Sequence, residues 1–166
     1  MLELIKKRRS IREYTAEAVS DEQVRILLEA AMAAPSASNL KPWEFVVVRG
    51  RDLCRRLADT HPYSEMCASA AAVFVVCGRE RESHHWVEDT SAATQNLLLA
   101  AAGLGLGAVW VAVYPMVGRE AYVRELLGIP DTLRVLCLVP LGYPAESKPP
   151  RTQYDPRRVH YERYEG

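Results

Sequence analysis

The sequence predicts an α+β fold in which a central mixed sheet lies between helices. Three observations carry that expectation. The first third of the chain reads as helical. Two short runs, at residues 72–77 and 134–141, read as core strands, the first of them fully buried. Between them lies residues 89–106, the longest helical stretch, with only Gln95 and Asn96 polar in its middle.

Each element has its own signal. Leu2, Leu4 and Ile5 suggest a short first helix that delivers Arg8 and Arg9 at its end. Ser20 and Gln23 form a capping box, Val24, Leu27, Leu28 and Ala31 make an apolar stripe, and Pro35 ends that second helix. Trp43 to Val48 is rich in β-formers and predicts a strand. Leu53 and Leu57 return to helical spacing within 51–60, and the buried strand 72–77 follows.

A helix as apolar as 89–106 belongs in the centre of a fold or across an interface, and its alanines allow close helix approach, which suits a dimer core. Residues 108–114 predict a strand, 119–127 a helix closed by Gly128 and Pro130, and 134–141 the last core strand. After Gly142-Tyr143-Pro144 the character changes. The tail has prolines, arginines and three tyrosines (Tyr154, Tyr161, Tyr164) but too little apolar material for a core. Its aromatic content predicts a segment laid across another surface rather than disorder.

Composition removes several function classes. A chain of 166 residues is one domain by length, residues 1–166. Lys+Arg 21 against Asp+Glu 21 gives no general argument for nucleic acid or acidic lipid. No apolar run reaches the roughly 18 residues of a membrane span, and the N-terminus lacks the pattern of a signal peptide, so a cytoplasmic protein is expected. Cys54, Cys67, Cys77 and Cys137 show no C-x-x-C spacing and read as buried free thiols. The histidines (His61, His84, His85, His160) show no metal-ligand spacing, so no metal is expected.

Against this neutral background, Arg8-Arg9-Ser10-Ile11-Arg12 concentrates three guanidiniums and a hydroxyl in five residues. Arginine presents a rigid fork of donors that fits a phosphate and stays charged at any working pH. The segment reads either as a site for one small anion or as a solvated helix end. Gly103-Leu104-Gly105-Leu106-Gly107 resembles a dinucleotide-binding turn, but a helix precedes it and a strand follows. A phosphate-binding turn needs the reverse order, so these glycines end the helix and permit close backbone approach.

The opening RRSIR, the box Pro35-Ser36-Ala37-Ser38-Asn39-Leu40-Lys41-Pro42-Trp43 and the run Gly105 to Val111 occur in the order and spacing of the FMN-dependent nitroreductase family. The chain resembles a short member of that family over nearly its whole length. The resemblance implies the nitroreductase-like fold, FMN as cofactor and a homodimer whose tail from Pro144 wraps the partner. It implies that Arg8 and Arg151 meet the flavin phosphate, that Arg9 and Ser10 line the ribityl and ring edge, and that Arg12 sits by the pyrimidine end. Asn39 would hold the pyrimidine edge, and Pro35, Ser36, Ala37 and Ser38 would close the site from the other subunit. Val111, Ala112 and Val113 would pass the ring, with Ala112 N–H as donor to flavin N5.

No catalytic side chain is implied, because the cofactor is the reactant and the protein supplies position and electrostatics. The implied reaction is ping-pong hydride transfer from NAD(P)H to a small planar acceptor, a nitroaromatic, quinone or similar. Flavin fragmentation, dehalogenation, or flavin binding without turnover are the alternatives. The chain departs from the family pattern at three places. Lys41 stands where Gln is usual, Ala112-Val113 where Gly-Gly is frequent, and Gln153 where a second phosphate-binding Arg is common.

Overall fold

A computed structural model of the chain describes residues 1–164 and residue 166. Helix α1 spans Leu2–Lys7 and α2 spans Asp21–Met32. The capping box closes both ways: Gln23 N–H donates to Ser20 Oγ at 3.1 Å, and Ser20 N–H donates to Gln23 Oε1 at 3.0 Å. Two donors that a helix start leaves open are thereby satisfied. Helix α3 covers Arg51–Leu57, α4 covers Trp86–Gly103 and α5 covers Val117–Leu127.

The strands are β1 (Trp43–Val48), β2 (Ala72–Gly78), β3 (Gly107–Ala108), β4 (Val111–Ala112) and β5 (Arg134–Gly142). Their order is β1-β2-β5, with β3 and β4 both along the far edge of β5. Every strand pair is antiparallel, which corrects the expected mixed sheet. The crossover through α4 does leave β2 and β3 pointing the same way. They are not neighbours, however, because β5 inserts between them antiparallel to both. The parallel pairing that is described is an isolated bridge between Ser10 and Ala108.

The strand predicted over 108–114 appears as two short pieces in one register, since Gly107 faces Gly142 and Ala112 faces Cys137. The break falls opposite Pro140. Val109 N–H donates to Pro140 O at 3.3 Å, and proline has no N–H to return the bond.

Residues of β2 alternate between two cores. Phe74 and Val76 join Leu27, Ala31, Ala93 and Leu97 of α2 and α4, whereas Val73 and Val75 join Cys54, Leu57 and Val123 of α3 and α5. Helices on both faces explain why 72–77 and 135–141 are apolar throughout. All four cysteines are free and buried, and burial pushes the thiols of Cys67 and Cys77 up to about 12, so both stay protonated and inert. Among the described residues no helix is long and apolar enough to cross a membrane.

The glycine run behaves as predicted. Gly103 ends α4, Gly105 has φ 76°, and a Cβ on Gly107 would lie 2.5 Å from Ile11 Cγ2. The last of these matters most for the site, because only glycine lets the N-terminal segment lie against the sheet edge there.

Candidate active site

After α1 the chain leaves the helix at Arg8 (ψ 120°) and runs extended beside β3. Ile11 N–H donates to Ala108 O at 3.0 Å, and the Ile11 side chain is buried. Alternation along an extended segment then turns Ser10 and Arg12 outward together. The tail fixes the same segment from its other side. Thr15 N–H donates to Tyr143 O and Ala145 N–H to Glu13 O, both at 2.8 Å. Glu146 Oε1 accepts Arg12 N–H at 2.6 Å, Lys148 Nζ donates to Ser10 O at 2.7 Å, Arg9 donates to Pro149 O, and Arg151 N–H donates to Lys6 O at 3.0 Å. The tail thus runs antiparallel to residues 15 back to 6 and carries Arg151 to the end of α1. As far as Arg151 the tail packs on its own chain. Beyond that point Tyr154, Tyr161 and Tyr164 are 75%, 82% and 82% exposed on this chain.

A cavity of about 480 Å³ opens between these segments, lined by Ile5, Arg8, Arg9, Ser10 and Arg12 from one side and Lys148, Arg151 and Gln153 from the other. A second, of about 250 Å³, shares Arg8, Arg9 and Lys148 but has an apolar floor of Leu98, Ala102, Leu106 and Ala108. Five cations therefore meet around one polar hollow beside an apolar one. Lys148 is neutralised by Glu146 at 2.8 Å, and that pairing, with the Arg12 N–H, holds the Glu146 carboxyl below its ordinary value. Among the described residues the guanidiniums of Arg8, Arg12 and Arg151 have no carboxylate partner. Like charges held this close without counter-charge favour an anion in the hollow, and arginine forks suit a phosphate in particular.

The box from Pro35 builds differently. Ser38, Asn39 and Lys41 all have left-handed backbone (φ 50°, 56° and 50°), which non-glycine residues adopt at a cost. The turn is held from within and from below. Lys41 N–H donates to Ser36 Oγ at 3.0 Å, and Ala37 N–H donates to Asp89 Oδ1 at 2.9 Å. Asp89 is 6% exposed, lies in the first turn of α4, and takes Ser83 Oγ on its other oxygen at 3.2 Å. Strain that the surroundings hold in place is a mark of functional loops. The loop leaves the Asn39 side chain exposed on the outside. Residues 35–39 line neither of the cationic cavities of their own chain.

Val111 and Val113 are buried and Ala112 is exposed. Val109 N–H donates to Pro140 O and Val113 N–H to Leu136 O at 3.1 Å, so these are the hydrogen-bonded positions of the β5 pair. Ala112, facing Cys137 in between, is a non-hydrogen-bonded position, and its N–H and C=O both point away from β5. The sheet edge therefore offers that N–H outward, as the implied donor role requires. Val111 to Val113 line neither cationic cavity. Trp43 is a core residue, and Trp110 packs half-buried against the same core.

Comparison with known proteins settles the family. The Nitroreductase family model matches residues 5–61 and 60–143. The chain belongs to the nitroreductase family. A protein of Methanothermobacter thermautotrophicus provisionally named NADH dehydrogenase/NAD(P)H nitroreductase is 44% identical, over 99% of this chain and 87% of its own. A crystal structure of a nitroreductase-family protein with the same provisional name, from Bacteroides thetaiotaomicron, superposes with a TM-score of 0.95 at 42% identity, covering 98% of this chain and 97% of the other. A Desulfovibrio desulfuricans protein described as a nitroreductase in complex with FMN gives a TM-score of 0.86 at 33% identity, over 99% and 97%. The oxidoreductase character of the nitroreductase family, and the antiparallel sheet between helices, are thus shared by this chain.

Sequence reading missed two supports of this candidate site. Glu146 holds the RRSIR segment to the tail, and nothing local marks it. Asp89 holds the strained loop, and its signal was legible: a carboxylate in the first turn of a helix otherwise apolar on nearly every side.

Proposed function

We infer that the protein is a homodimeric FMN-dependent oxidoreductase that moves hydride from NAD(P)H to an electron-poor acceptor such as a nitroaromatic or quinone. The observation that carries this reading is the convergence on one hollow beside an apolar slot of the Arg8, Arg12 and Arg151 guanidiniums, which have no carboxylate partner among the described residues. The residues suit a flavin mononucleotide, which joins a dianionic phosphate to a flat apolar ring. Arg8 and Arg151 would hold the phosphate, and Arg9 and Ser10 the ribityl chain. Arg12 would sit at the pyrimidine end, where a fixed cation favours negative charge on the reduced ring. Bound FMN would supply the two-electron chemistry, taking hydride from NAD(P)H and giving it to the acceptor in a ping-pong cycle.

A second copy is needed to complete this site. Pro35 to Asn39 stand apart from the cations of their own chain, and the strained loop presents Asn39 outward, to the ring edge of a partner's flavin. Three features supply a surface for that partner. Leu2, Ile5 and Met32 are exposed, the outer stripe of α4 (Ser91, Ala92, Leu99, Ala102) is only half covered, and the tail tyrosines lie uncovered.

The test is direct. Purified protein should be yellow and release FMN, not FAD, on denaturation. NADH or NADPH should bleach it without oxygen, and a quinone should restore the colour. Released FAD, or a protein that stays colourless with added FMN, would refute the cofactor, and flavin that NAD(P)H does not bleach would mean binding without turnover.

A further inference from the structure

The outward edge at Ala112 has a cation beside it. Arg119, in the first turn of α5, places Nη1 3.5 Å from Ala112 O. The N–H and C=O of a non-hydrogen-bonded strand residue share one edge of the strand. The guanidinium therefore lies next to whatever the Ala112 N–H meets. Among the described residues Arg119 has no carboxylate partner. The adjacent Glu120 is buried and committed to Arg134, at 2.9 and 2.7 Å. The nearby titratable group is His61, held below its ordinary value first by desolvation and then by the Arg119 charge. The neighbouring exposed surface is apolar, with Met116 50% and Val117 75% exposed at the start of α5.

We propose that Arg119 is a specificity-determining residue that selects flat acceptors carrying an anionic group, a carboxylate or sulfonate, at the hydride-exchanging edge. This rests on the flavin reading given above, in which Ala112 N–H meets the ring. An acceptor whose ring stacks against the flavin would set its acidic substituent within reach of the Arg119 fork, and the apolar start of α5 would cover the rest of the ring. A neutral acceptor gains only the apolar part. Charge-assisted contact of this kind changes affinity by about tenfold or more.

The experiment compares a neutral naphthoquinone with its sulfonate in the flavin-loaded wild type and in Arg119→Gln and Arg119→Lys. The reaction followed is NAD(P)H plus quinone plus a proton giving NAD(P)+ and hydroquinone. The ratio of kcat/KM for sulfonate over neutral quinone should fall about tenfold in Arg119→Gln and be largely kept in Arg119→Lys. Benzoate, titrated against the flavin absorbance band without turnover, should bind correspondingly more weakly to Arg119→Gln. An unchanged ratio with unchanged benzoate affinity would overturn the role of Arg119 while leaving the flavin reading intact. A wild type that NAD(P)H cannot bleach would overturn both.

Discussion

The two halves of the candidate site are built on different physical terms. The cationic corner is an electrostatic assembly on the surface, where extended backbone from the N-terminal segment and the tail is laced together by hydrogen bonds and the guanidiniums of Arg8, Arg12 and Arg151 have no carboxylate partner among the described residues. The Ser36–Lys41 turn is a conformational assembly in which left-handed residues are held by one buried carboxylate. Damage to the corner should show in ligand affinity and salt dependence with little change in the fold. Damage to the turn should show in stability and in the environment of the ring. A surface charge costs the fold little, whereas a buried amide left without its acceptor costs it directly.

Removing residues 145–166 would break this contrast most severely, because the tail builds the corner and is proposed to hold the partner that brings the second turn. It carries Lys148 and Arg151 to the corner, holds Arg12 and Ser10 through Glu146 and Lys148, and bears the tyrosines proposed to anchor the partner. We expect flavin and dimer to be lost together, measured by flavin fluorescence and sedimentation. A truncated chain that sediments as a folded monomer and still binds FMN tightly would disprove the shared site.

Arg8→Ala isolates the corner. Loss of one charge-assisted phosphate contact, about 1.5–3 kcal/mol, should weaken FMN about ten- to more than a hundred-fold. Gln153 lines the same cavity but carries no charge to compensate. Thermal stability of the apoprotein should hardly move, since among the described residues Arg8 has no carboxylate partner to lose. An FMN affinity unchanged within about a factor of two would make Arg8 a solvated helix-end residue.

Asp89→Ala isolates the turn, with the smallest effect on FMN affinity. It leaves Ala37 N–H without its acceptor and should lower the stability of the apoprotein by about 1–3 kcal/mol in denaturant unfolding. FMN should still bind through the phosphate with an altered visible spectrum, and Asp89→Asn, which keeps the acceptor oxygen, should restore most of both. A variant with wild-type stability and spectrum would show that the turn holds itself without α4.

Much of the fold was legible locally. The capping box at Ser20 and Gln23, the two core strands and the helix-ending glycines depend on near neighbours and formed as read. Boundaries drifted where a tertiary partner decided them. Helix α4 begins at Trp86, and α5 begins at Val117, ahead of the first residue predicted for each. The strand at 108–114 was read whole because its own residues are all suited to a ladder; the interruption belongs to Pro140 across the sheet.

The sequence by itself determined the chemistry available: three arginines and a serine within five residues, a proline-bounded Ser/Asn turn, and a second arginine-bearing segment in the tail. Their types and order were enough to suggest the family. Only the tertiary structure decided which of them meet. It brought Arg151 to Arg8 through backbone pairing between the tail and residues 6–15, left Pro35–Asn39 away from that corner, and put Arg119 beside the open edge at Ala112. Helix and turn signals are short-range and are written in neighbouring residues. Convergence of distant segments depends on long-range pairings, such as the insertion of β5 between β2 and β3, which no local pattern encodes.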